Sequence, residues 1–135
     1  MNELRRVLFV SLIAAAALGC SFGKNNDCIS IPDTNYRGNI NNTTMGIGAS
    51  TNVSLKQSEC QLTGIMLIDR PLIGSGPISG SIIQDKVYFK IDKRDSDAGV
   101  DIVFTGTVSE GGMKGTYHIP ERSQSGGWDL VSEAQ

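Results

Sequence analysis

The sequence predicts an all-β protein, an eight-stranded antiparallel up-and-down β-barrel that follows a cleaved signal helix. Three observations carry this. Beyond the first twenty residues no window places apolar side chains at the three- and four-residue spacing of a helix face. Short stretches alternate apolar and polar residues with period two, which puts one face of a strand in a core and the other in water. Sixteen glycines, with many Ser, Thr and Asn, punctuate those stretches at turn-like places.

The N-terminal element is residues 1–19. It has a charged start with Arg5 and Arg6, an apolar run from Val7 to Leu18, and a small residue, Gly19, before Cys20. The run is shorter than the roughly 20 residues a membrane-spanning helix needs, so the pattern is that of a secretory signal peptide. The stretch Ala17-Leu18-Gly19-Cys20 resembles the bacterial lipobox. That resemblance implies cleavage before Cys20, acylation of its sulfur with palmitate-type chains, and a membrane-anchored lipoprotein of the cell envelope. Two or three acyl chains, each buried methylene worth about 0.8 kcal/mol, hold a small domain to a bilayer almost permanently. Ser21 resembles the outer-membrane sorting choice, for an organism that has an outer membrane.

Residues 20–33 form the second element, a lipidated cysteine and a polar tether with Gly23, Asn25, Asn26 and Pro32. The cysteines left after Cys20 are Cys28 and Cys60, in a chain exported to a disulfide-permissive space. One intramolecular bridge between them is the economical reading, and it staples the tether to the domain at residues 34–135. Closing a loop of that length contributes about 3–4 kcal/mol in the chain-entropy model.

Within that domain the strands follow in order. The earlier four are expected near Tyr36–Ile40, Ser50–Gln57, Cys60–Asp69 and Pro77–Gln84. The fifth sets Val87, Phe89 and Ile91 against Lys86, Tyr88 and Lys90; the sixth sets Val100, Ile102 and Phe104 against Asp101 and Thr105. Met113, Tyr117 and Ile119 oppose Lys114, Thr116 and His118 in the seventh, and Trp128 and Leu130 oppose Asp129 in the eighth. Turn-like separators include Gly74-Ser75-Gly76, Gln84-Asp85, Glu110-Gly111-Gly112 and Ser125-Gly126-Gly127. Gly64, Gly80, Gly106 and Gly115 fall on the apolar faces, where a missing side chain lets a strand bend or lie close to a ring. A sheet curved in this way can close on itself and lose its exposed edges.

The run Val53 to Gly64, with Gly106-Thr107-Val108, Lys114-Gly115-Thr116-Tyr117 and Gly127-Trp128-Asp129-Leu130, resembles the small meander barrels of the avidin and lipocalin kind over residues 35–131. Where lipocalins carry glycine-any-tryptophan in the first strand, this chain has Gly38-Asn39-Ile40, and the tryptophans that wall an avidin biotin site are reduced to Trp128. The resemblance therefore implies a fold and no particular ligand.

Charge and chemistry narrow the function. The precursor has 12 basic and 14 acidic residues, and removal of Arg5, Arg6 and Glu3 leaves a mature chain near −3, without the basic face that nucleic acid requires. His118 is the only histidine and takes an outward strand position, so no acid–base partner set is visible. No serine stands in a nucleophile elbow, and the glycines of Gly74 to Gly80 lack the lysine and the following helix of a phosphate loop. The acidic stretch Asp92 to Asp97 is a place for Ca²⁺ only against Lys93 and Arg94 inside it, and reads as a polar turn. No cofactor, metal or catalytic residue is expected.

What is left is binding. Phe89, Phe104, Tyr117 and Trp128 are the ligand-pocket candidates, because inward glycines reduce the volume available to fill the barrel; the same rings can equally pack as a core. The expected function is a non-enzymatic envelope lipoprotein that binds a small apolar ligand or an envelope protein. The alternative is a structural or interaction protein, such as an enzyme inhibitor or surface adhesin, with a filled barrel.

Overall fold

The computed structural model describes residues 27–134, so the leader, Cys20 and residues 20–26 of the tether lie outside the described residues. Eight strands follow in chain order: β1 (Thr34–Asn42), β2 (Ile47–Ser58), β3 (Gln61–Ile68), β4 (Gly76–Ile83), β5 (Lys86–Ile91), β6 (Ile102–Ser109), β7 (Gly112–Ile119) and β8 (Gln124–Ser132). Each pairs antiparallel with its neighbours in sequence, and β1 pairs with β8, which closes the barrel. The predicted all-β, up-and-down barrel is the fold observed.

Burial follows the alternation. β5 buries Val87, Phe89 and Ile91 and exposes Lys86, Tyr88 and Lys90; β7 buries Met113, Tyr117 and Ile119 and exposes Lys114, Thr116 and His118. Val100 departs from expectation: it lies in a bend ahead of β6, which begins at Ile102. It is buried all the same, because the β5–β6 connection folds back over the end of the core.

The two ends of the barrel differ. At one end the connections are two-residue hairpins, Glu59-Cys60, Gln84-Asp85 and Glu110-Gly111. The opposite end carries the longer connections 43–46, 69–75, 92–101 and 120–123, the last containing a single 3-10 turn at Pro120–Arg122. We call these the turn end and the loop end.

The N-terminal segment is fastened at the turn end. Cys28 and Cys60 form a disulfide, as the cysteine count suggests. Gln84 donates its amide to the Asp27 carbonyl at 2.9 Å and accepts from Ile29 N–H at 2.9 Å. The Gln57 side chain clasps the same segment, accepting from Ile31 N–H at 2.8 Å and donating to the Ile29 carbonyl at 3.1 Å. Tyr36 closes this end from within, its hydroxyl donating to the Pro32 carbonyl at 2.9 Å. Residues 27–33 are thus held against the barrel.

Candidate functional site at the loop end

The sequence pattern places apolar residues in two connections that ordinarily would be polar: Pro71-Leu72-Ile73 between β3 and β4, and Ala98-Gly99-Val100 between β5 and β6. The structure explains them. Both connections fold over the loop end and, with Ile40 of β1, Ile68 of β3 and Ile119 of β7, wall an apolar recess of about 280 Å³. That is just below the 300–1,000 Å³ of ordinary small-molecule sites.

The walls are held by polar contacts behind them. Asp97 accepts from Gly74 N–H at 2.6 Å and Ser75 N–H at 2.9 Å, and Asp97 N–H donates to the Ser75 carbonyl at 3.0 Å, so the two longest connections are tied to each other. Ser75 Oγ in turn accepts from Ile68 N–H at 2.8 Å. Gly74 is at φ 141°, a conformation that side chains rarely adopt, and a Cβ there would come within 2.7 Å of Ile102 Cδ1. In the β5–β6 connection Asp92 holds Arg94 through its Nε at 2.9 Å, and Asp101 accepts from Lys93 N–H at 2.7 Å. The hydrogen bond from Arg94 lowers the Asp92 carboxyl to about 2. The acidic stretch that raised a cation site is therefore engaged in shaping the connection, and no group of three or more His, Cys, Asp and Glu among the described residues could hold a metal ion.

Polar side chains also line the recess. Asn42 is buried; its Oδ1 accepts from Met45 N–H at 2.9 Å, which fixes the amide orientation and leaves Nδ2 to donate to Gln124 Oε1 at 3.0 Å. With its oxygen taken, Gln124 has its Nε2 hydrogens left to offer. Tyr117 lines the recess, is only 5% exposed, and has no hydrogen-bond partner for its hydroxyl among the described residues. Burial pushes its pKa above the ordinary tyrosine value. Arg122 is the one charged lining residue; its Nη2 reaches the Ala98 carbonyl at 3.5 Å, and no carboxylate among the described residues pairs with it.

Of the four aromatic pocket candidates, only Tyr117 lines this recess. Phe89 and Phe104 stack at 4.8 Å between centroids, and Trp128 meets them edge-on at 5.4 and 6.2 Å. Those three rings are buried together in the barrel interior, and Tyr117 tilts against Phe104 at 5.7 Å, joining that cluster to the recess. His118 is exposed on the outer face of β7. Sequence reasoning missed the aliphatic lining of the recess, for which the signal was apolar residues inside Gly- and Pro-punctuated connections.

No protein-family model matches the chain, and no curated protein matches it. The functional reading therefore stands on the geometry and on the residues themselves.

Proposed function

We propose that this chain is a membrane-anchored bacterial lipoprotein of the cell envelope, non-enzymatic, whose barrel takes a small apolar ligand in the loop-end recess. The observation that supports this reading is the apolar recess itself, built by the longest connections and lined also by a few polar side chains. Anchoring rests on the signal pattern and on Ala17-Leu18-Gly19-Cys20.

The two parts of the proposal fit each other. Cys20 precedes Asp27 by seven residues, a span of at most about 25 Å when extended, and the chain from Asp27 onward is fastened at the turn end. An anchor so placed leaves the recess facing away from the bilayer, open to ligands from the aqueous side.

A protein partner is the second reading, and a specific observation favours it: Met45 and Ile73, on the rim of the recess, are 53% and 45% exposed. Native mass spectrometry of protein purified from its own envelope separates the two. The proposal predicts a chain that begins at an acylated Cys20 and carries a small molecule. A co-purifying protein seated on the rim favours the second reading, and a retained leader with unmodified Cys20 overturns the anchoring.

A further inference from the structure

The geometry points to a ligand class: we infer that the loop-end recess selects free monocarboxylates with a small apolar body, the carboxylate meeting Arg122, Gln124 and Tyr117. This rests on the reading of the recess as an apolar ligand site and goes further by assigning the charge of what enters it.

The polar groups at the mouth are of one kind. Gln124 is turned by Asn42 so that it presents its amide hydrogens, because the Asn42 oxygen is already taken by Met45 N–H. Tyr117 buries its ring in the wall of the recess, while its hydroxyl reaches solvent and meets no partner among the described residues. That hydroxyl is therefore open to an acceptor from a ligand. Arg122 brings a guanidinium with no carboxylate partner among the described residues. Three donors, one of them cationic, beside an apolar wall match a ligand that is greasy at one end and anionic at the other.

Acidic neighbours do not cancel this charge. Glu121 is drawn to Lys93 at 3.5 Å, Asp97 is committed to the Gly74 and Ser75 amides, and Asp101 faces Lys93 N–H and Lys90. None of these carboxylates lines the recess. Size follows from volume: at about 280 Å³ the recess lies below the ordinary small-molecule range and suits a small apolar body. A phenylalkyl group or a medium-length acyl chain fits that space, whereas a long-chain lipid overfills it.

The test is calorimetry on the full chain in lipid nanodiscs, against empty nanodiscs, with 4-phenylbutyrate and its neutral counterpart 4-phenylbutyramide. The expected result is a preference of about tenfold for the carboxylate, as one added charge-assisted contact gives. Arg122→Gln should weaken carboxylate binding until the preference is lost, and Tyr117→Phe should reduce the preference; a preference kept in Arg122→Gln would overturn the assignment. Equal binding of acid and amide to the unaltered chain would overturn the anion selectivity and keep the apolar site. Binding of neither would overturn both.

Discussion

The Trp128 indole occupies the space that a side chain on Gly106 would fill: a Cβ placed on Gly106 would come within 2.6 Å of Trp128 Cζ2. Gly106 pairs with Gly115 across β6 and β7, and Gly115 pairs with Trp128 across β7 and β8. Gly106 thus leaves the room that the largest ring of the core fills, and the Phe89 and Phe104 rings pack against that ring. The added methyl would also meet the Lys114 carbonyl, so the indole cannot relieve the clash alone. Gly106→Ala should therefore destabilise the barrel by about 1–3 kcal/mol through overpacking. Urea unfolding followed by Trp128 fluorescence checks this, and an unchanged midpoint would contradict it.

Loss of the disulfide should act at the turn end. Cys28 and Cys60 are 32 residues apart, and opening that loop in the unfolded chain costs about 3–4 kcal/mol of stability in the entropy model. Cys28→Ala with Cys60→Ala should lower the unfolding free energy by that order. The amides of Ile29 and Gln84, which hold the segment by one ladder, should then exchange with solvent faster than those of β7. Hydrogen exchange with those amides still as protected as the β7 amides would count against this account.

Much of this architecture was legible from alternation alone, because a strand with one wet face writes its burial into every second residue. The β5 and β7 patterns are cases in which each inward residue read from sequence is buried. The disulfide was legible from cysteine count and compartment. The recess was not. Its walls come from connections without periodicity, and Leu72 and Val100 line one recess where Asp97 reaches across 22 and 23 residues to the Ser75 and Gly74 amides. Val100 was read into a strand for the same reason: an apolar residue two before Ile102 has the spacing of a strand whether or not the backbone pairs there. Likewise, periodicity shows that Phe89, Phe104 and Trp128 point inward but not that they stack on one another.

High pH should weaken the fold. Burial, and secondarily the Asp33 charge, raise the Tyr36 pKa above 10, against a smaller lowering by Ser132; burial raises that of Tyr117. A group raised in the folded state stabilises fully below its unfolded value and loses that contribution as pH climbs through the folded value. Stability should therefore begin to fall near pH 10. Urea midpoints at pH 8 and pH 11 measure this, and the fall should be smaller in Tyr36→Phe with Tyr117→Phe. An equal fall in that variant would show that other groups cause it.

The β5–β6 connection should respond to acid instead. Asp92 titrates at about 2 rather than 3.8, chiefly because Arg94 hydrogen-bonds its carboxylate. A lowered value means that the contribution is complete above the unfolded pKa and is lost as pH falls from there through about 2. Arg94→Gln should move the Asp92 carboxyl back up towards 3.8 in a carbon-detected NMR titration. A carboxyl still titrating at about 2 would assign the shift to some other partner.

The proposed function turns on where an apolar molecule enters the barrel. Methyl NMR of the full chain in nanodiscs, titrated with neutral 4-phenylbutyramide, locates that place directly. The loop-end site predicts shifts at the Met45, Leu72 and Ile73 methyls, with Leu55, Leu62 and Val87 near the turn end unmoved. Shifts concentrated at Leu55, Leu62 and Val87, or at no methyl, would contradict it.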